Sequence, residues 1–219
     1  MPLINLHSHS YHSDGSLSVF EMASKAQQLG HCCYVLTDHD YALNAHEKGL
    51  ADLIVSDLAK IPIIVGAEIC TPIGECLMFG IDNIRTWIKT FRPLIRKGEW
   101  RDNVDEIILD YYGILTCPLI VCHPGQLCDD GELVSKYKNT LQLVAGYERQ
   151  NCAYEYPQVV EDRLEKWTSR KMKRFYNSDA HWGEMLEVVC NKIEIAITTE
   201  EELINAINDP AFTFERYPI

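Results

Sequence analysis

Several familiar signatures are missing from this 219-residue chain. It has no Gly-x-x-x-x-Gly-Lys and no Gly-x-Gly-x-x-Gly run, which excludes a P-loop and a dinucleotide fingerprint, and no serine nucleophile elbow. Its nine cysteines (32, 33, 70, 76, 117, 122, 128, 152 and 190) are scattered, odd in number and without a Cys-x-x-Cys pair, so a disulfide framework is not expected and most should be reduced. No apolar run approaches the ~20 residues a membrane helix needs. The start, Met1-Pro2-Leu3-Ile4-Asn5-Leu6-His7, has neither a basic segment nor a long apolar one. A cytoplasmic protein is the expectation. Positive charge is also scarce: 20 Lys and Arg stand against 32 Asp and Glu, a net charge of −12. That balance argues against a surface that tracks long nucleic acid or an anionic membrane. The length and the 47% apolar fraction fit one sizeable core, read as a single domain over residues 1–219.

What the chain does have is a recurrence. His7-Ser8-His9, Asp38-His39, Glu68, His123, Glu148 and Asp179-Ala180-His181 each follow a short apolar run that reads as a β-strand. One His-x-His says little, because two histidines on a strand face often bind nothing. Six clusters at successive strand ends read as one metal site, since imidazole and carboxylate are the ligand set of zinc, manganese and iron.

The strands alternate with helices. Strands are expected at Leu3–Leu6, Cys33–Thr37, Ile61–Ala67, Leu119–Cys122, Leu141–Tyr147, Lys173–Asn177 and Ile193–Ile197, with Cys76–Ile81 as a hairpin partner after Pro72–Gly74. Capping boxes at Ser18-x-x-Glu21 and Thr199-x-x-Glu202 open two helices, the first closed by Gly30. Further helices are expected at Ala42–Ala59, Ile84–Ile114 and Val159–Arg170. Such alternation implies a largely parallel sheet, and function residues from six strands favour a closed barrel over an open sheet with one switch point.

In order, His7-Ser8-His9, Ser13-Asp14-Gly15, Leu36-Thr37-Asp38-His39, Gly66-Ala67-Glu68-Ile69, Cys122-His123-Pro124-Gly125 and Asn177-Ser178-Asp179-Ala180-His181 resemble the motifs of the PHP (polymerase and histidinol phosphatase) superfamily. The resemblance covers residues 4 to about 185. It implies an α/β fold, a distorted seven-stranded TIM-like (β/α)7 barrel with its site at the carboxyl ends of the strands. It also implies two or three divalent ions (Mn, Fe or Zn) and phosphoester hydrolysis by a metal-activated hydroxide. Carried over by position, His7, His9, Glu68 and Asp179 would hold one ion, Glu68 and His123 a second, and Asp14, His39 and His181 a third; Glu68, Asp179, His39 and His181 would carry the catalytic load as ligands. Many relatives have a further histidine after the glutamate motif, where this chain has Glu75-Cys76. Glu75 as the substitute ligand would favour manganese or iron, Cys76 would favour zinc, and an incomplete shell is the plain alternative.

Other residues have two readings. Asp38 either orients a ligand histidine or caps a loop. Glu148 with Asn151 resembles the family's Glu-x-x-Asn element, and either touches metal, bonds a ligand histidine or holds backbone amides. Cys122 should face away from His123 into the core, and His12, His31 and His46 read as loop or surface residues. The one basic stretch, Arg85, Lys89, Arg92, Arg96, Lys97 and Arg101, reads as a solvated helix face, with Arg92, Arg96 and Arg149 as alternative anchors for a substrate phosphate. Trp182 is either rim packing or a stacking surface. The substrate expected is a small phosphomonoester: a nucleotide, a sugar phosphate or histidinol phosphate. A phosphodiesterase or exonuclease acting on short oligonucleotides, and a regulatory metal-binding module without turnover, are the alternatives.

Overall fold

The structure, a computed structural model, describes residues 1–42, 60–91, 93, 105, 106, 108, 117–124, 136–152 and 154–219. The strands are β1 (Leu3–Ile4), β2 (Tyr34–Leu36), β3 (Ile63–Thr71), β4 (Gly74–Phe79), β5 (Leu119–Val121), β6 (Val144–Asn151), β7 (Tyr154–Glu155), β8 (Lys173–Asn177), β9 (Val189–Lys192) and β10 (Glu215–Pro218). The described helices are α1 (Val19–Gln28), α2 (Ile81–Thr90), α3 (Lys138–Leu143), α4 (Gln158–Thr168) and α5 (Glu200–Asn208).

The main sheet runs β2-β3-β4-β5-β6-β7, with β8 also paired to β6. β2–β3, β5–β6 and β6–β8 are parallel, whereas β4 is antiparallel to both neighbours and β7 folds back on β6. The sheet is therefore mixed, compatible with a distorted TIM-like barrel but without the regular parallel repeat of a (β/α)7 barrel. Between β2 and β8 lies the segment after β1: Thr37 N–H donates to Ser8 O at 2.9 Å, His9 N–H to Ala180 O at 2.8 Å and Ala180 N–H to His7 O at 3.3 Å. A second sheet, β1-β9-β10, is antiparallel.

Strand alternation sorts the core. Ile64, Leu77, Phe79, Ile120 and Phe175 fill an inner cluster, while Ala67, Ile69, Cys76, Met78, Val121 and Tyr147 pack in a second cluster with Trp87 of α2 and Leu164 of α4. By parity with Ile64, Glu68 belongs to the inner face. Gly146 is also on it, and only glycine fits there: a Cβ would stand 2.5 Å from both Lys173 O and Phe175 Cε2.

Both capping boxes form. Ser18 Oγ accepts from Glu21 N–H and Glu21 Oε2 from Ser18 N–H, and Thr199 and Glu202 repeat the pattern. Gly30 follows α1 with φ +80°, the left-handed conformation glycine adopts without strain. Two expectations need correction. Residues Leu141–Leu143 end a short helix, and the strand expected there starts at Val144 and extends to Asn151. The strand expected at Ile193–Ile197 lies earlier, at Val189–Lys192, because its hydrogen-bonding partners are β1 and β10. The helix expected over Ala42–Ala59 and most of Ile84–Ile114 lie outside the described residues, as do His46, Arg92 and Arg96. Among the described residues no helix is long and apolar enough to cross a membrane, and the eight described cysteines are all free.

Candidate metal centre

His7 and His9 share one face of the segment after β1, while Ser8 between them turns away, its Oγ donating to Val35 O at 2.7 Å. His7 and His9 are fully buried. Their Nε2 atoms stand 3.1 Å apart. Each is 3.4 Å from Glu68 Oε2 and 3.2 Å from Asp179 Oδ1. Ligands held at about 2.0–2.1 Å around a tetrahedral ion stand roughly 3.3 Å apart, the spacing at which the two histidine nitrogens stand from each other and from each carboxylate oxygen.

Two more sets share its ligands. Asp14 Oδ2 lies 3.3 Å from His39 Nε2 and 3.4 Å from His181 Nε2, with His9 Nδ1 3.5 Å from Asp14 Oδ1. On the other side His123 Nε2 lies 3.5 Å from Glu68 Oε1 and 3.1 Å from Asp179 Oδ2. Glu75 Oε2 stands 3.6 Å from His123 Nδ1, the nitrogen opposite the one that faces Glu68. Its carboxylate groups instead with ligand atoms of His39 and Glu68. Cys76 points into the outer core, fully buried, and burial pushes its thiol pKa up to about 12. Of the two substitutes for the missing histidine, only Glu75 reaches the cluster.

Hydrogen bonds behind the cluster fix its tautomers. A His7 Nδ1–H bond to Glu148 Oε1 at 2.7 Å leaves the Nε2 lone pair facing the centre. A bond from His181 Nδ1–H to Asp179 O at 2.9 Å does the same for His181. Glu148 also accepts from Asn177 Nδ2 (3.1 Å), Asn151 Nδ2 (2.7 Å) and His123 N–H (3.2 Å). With four donors on two oxygens it braces His7 and His123, and its carboxylate also groups with ligand atoms of both. Asp38 accepts from Ser10 N–H, Ser10 Oγ and Ser13 Oγ, each at 2.6 Å. It therefore ties down the loop that carries Asp14, and through Ser13 Oγ reaches His9 Nδ1 at 3.4 Å.

The electrostatics match. Burial opposes charging His7, but Asp179, Glu148 and Glu68 outweigh it and raise its pKa well above the ordinary value. Burial likewise opposes ionisation of Glu68 and Asp179, and the surrounding histidines overcome it, holding both carboxyls well below the usual range. Glu68 Oε1 and Asp179 Oδ1 are nonetheless buried without a hydrogen-bond partner. Buried carboxylate oxygens are normally satisfied, and a cation would satisfy both. His123 and Asp179 are held at φ 39° and 49°, a region costly for side-chain-bearing residues and concentrated at functional sites.

The remaining candidates are placed as follows. Cys122 is core, as expected, yet its Sγ also lies within 4.8 Å of ligand atoms of His7 and Glu68. His31 is not a surface residue but 6% exposed, its N–H bonded to Ala26 O where the chain runs from α1 to β2. Arg149 pairs with Glu155 at 3.2 Å across the β6–β7 hairpin, and Arg85 is an exposed residue of α2 paired with Asp82. Trp182 is 50% exposed beside His181. Sequence reasoning missed Asn5, Asn177 and Asn191, which link β1, β8 and β9 behind the site: Asn191 Nδ2 donates to Asn177 Oδ1 at 3.0 Å and His7 N–H to Asn5 Oδ1 at 3.0 Å. Buried asparagine in or beside short strands, where it is depleted, was the available signal.

The fold, a curled mixed sheet that gathers histidines and carboxylates at its strand ends, is shared with solved structures. The lesion-specific endonuclease PfuEndoQ from Pyrococcus furiosus superposes with a TM-score of 0.69 at 16% identity, over 100% of this chain and 59% of that one. A two-domain Bacteroides vulgatus protein containing a predicted PHP-like metal-dependent phosphoesterase gives 0.57 at 12% identity, over 99% of this chain and 64% of that one. PsfC from Pseudomonas syringae gives 0.59 at 14% identity, over 100% and 91%. The chain thus spans about three-fifths of the first two proteins, and the likeness at these identities is one of fold. No protein-family model and no curated protein matches the sequence.

Proposed function

We propose that this protein is a metal-dependent phosphoesterase that hydrolyses a small phosphomonoester, such as a nucleotide, a sugar phosphate or histidinol phosphate, with two or three ions of manganese, iron or zinc. The observation that carries the reading is the convergence of His7 and His9, their Nε2 atoms 3.1 Å apart, on carboxylate oxygens of Glu68 and Asp179 at 3.2–3.4 Å, with Glu68 Oε1 and Asp179 Oδ1 buried and without a hydrogen-bond partner. Glu68 and Asp179 would each be shared between neighbouring ions, His123 would serve one flank, Asp14, His39 and His181 the other, and Glu75 would join from beside Glu68 and His39.

Divalent ions in such a site supply positive charge against phosphate oxygens and make a water molecule acidic enough to attack at neutral pH. The chain's own part is preorganisation. Glu148 and the Asp179 carbonyl hold His7 and His181 in the tautomer that presents Nε2, and Asp38 fixes the loop that presents Asp14. Because these groups are set before substrate arrives, little reorganisation is needed in the transition state.

Phosphate release from a panel of nucleotides, sugar phosphates and histidinol phosphate, by manganese-, iron- and zinc-loaded protein with Glu68→Ala as control, tests the proposal. Turnover abolished in the control is the expected result; stoichiometric metal with no turnover of any monoester sinks it. The fold likeness to an endonuclease favours phosphodiester cleavage as the second reading, and a short oligonucleotide in the same panel separates the two.

A further inference from the structure

Three of the loops that carry site histidines also carry an aromatic side chain one or two residues on: Tyr11 after His9, Tyr41 after His39 and Trp182 after His181. All three are open to solvent, at 56%, 57% and 50% exposure. Half of the exposed aromatic residues described, six with Phe20, Tyr154 and Tyr217, therefore sit beside one flank of one site. Single exposed aromatics need no explanation; three at the mouth of a buried cluster do.

Their places are fixed by the site. The imidazoles of His39 and His181 meet at Asp14 Oδ2, and the ring of His9 lies 4.7 Å from His39 and 4.4 Å from His181. Tyr41 stacks on His39, ring centres 5.2 Å apart and planes 19° from parallel, and is more than half exposed. The Tyr11 loop is fastened to the Trp182 loop: Tyr11 N–H donates to Leu17 O at 2.8 Å and Ser16 N–H to His181 O at 2.7 Å. Trp182 caps a short 3-10 turn, Gly183–Glu187, with half of its surface open to solvent.

We propose that these aromatics form a stacking platform on the Asp14–His39–His181 flank, and that the substrate is a nucleoside phosphate whose base lies on it while its phosphate meets the metal centre. The substrate class rests on the phosphoesterase reading above; the platform itself does not. Flat bases stack on exposed tyrosine and tryptophan irrespective of sequence, whereas a sugar phosphate or an aliphatic phosphoester gains little from them.

Adenosine monophosphate and ribose phosphate carry the same ester and differ in the base, so they are the probes. Calorimetric titration of metal-loaded protein should show the nucleotide binding about tenfold more tightly or better. That advantage should collapse in Trp182→Ala and Tyr41→Ala and persist in Trp182→Phe, with ribose phosphate affinity unchanged throughout. Equal affinity for the two probes, or equal losses for both in the alanine variants, overturns the platform. Phosphate release, followed in parallel across the full panel of esters, reports separately on the chemistry: a base-dependent affinity without turnover of any ester keeps the platform and sinks the phosphoesterase reading.

Discussion

His7 and Glu148 are joined by a 2.7 Å bond between Nδ1 and Oε1, both side chains fully buried. The bond sets the lone pair of a ligand histidine from behind, and Glu148 spends its other oxygen on Asn151 and on the backbone of His123. Glu148→Gln would turn one acceptor into a donor facing Asn151 Nδ2 or His7. Removing such a partner typically lowers metal affinity about ten- to a hundredfold, and titration against a chelator should read a drop in that range. Unchanged affinity would leave Glu148 a packing residue.

Glu75 and Cys76 make opposite predictions at adjacent positions. Glu75→Ala should leave the protein one ion short by elemental analysis, because its carboxylate reaches the cluster. Cys76→Ala should keep the full complement, because its thiol lies in the core beside Thr71 Oγ1. The reverse pattern would make the centre a thiolate site.

Gly15 follows Asp14, and a Cβ there would stand 2.6 Å from His9 O, a backbone atom that cannot swing aside. Gly15→Ala should therefore shift Asp14 relative to His9 at a cost of about 1–3 kcal/mol. Denaturant unfolding with and without metal should show the larger loss in the metal-bound protein, since Asp14 faces both His39 and His181. Equal losses in the two states would confine the effect to packing.

His31 offers a pH test away from the centre. Burial lowers its pKa from 6.5 to about 4, and its Nε2 has no hydrogen-bond partner. Between those values the unfolded chain binds a proton that the folded chain does not. Stability is therefore full above 6.5, falls as pH drops through the window and levels off below 4. The contribution is about 3 kcal/mol. Urea unfolding of chelator-treated protein should show the parent losing that much relative to His31→Leu between neutral pH and 4. A constant difference between the two would mean that His31 is not kept neutral by burial.

The candidate ligands were legible because their chemistry recurs at strand ends, and a histidine or carboxylate in the right place is visible without coordinates. Glu75 was legible only as one of two neighbours; strand parity in β4 sends Glu75 to the cluster and Cys76 to the core. The strand start at Val144 was misread because Leu141 and Leu143 are as apolar as a strand, and a short apolar run does not distinguish the two. His31 looked like a surface residue by position, but the chain leaving α1 runs past Leu3 and buries it.

The sequence by itself determined the donor set, the capped helices α1 and α5, and the alternation that sends Glu68 inward with Ile64. These follow from local rules: the period of a strand, the hydrogen bonds of a helix end and the ligand chemistry of each side chain. Only the tertiary structure showed that Glu148 hydrogen-bonds His7 Nδ1, that Asp38 serves the Asp14 loop, and that β4 runs against the sheet. Each depends on which segments distant in the chain become neighbours. His7 and Glu148 are 141 residues apart, and no local rule of strand or helix brings two such side chains within hydrogen-bonding distance.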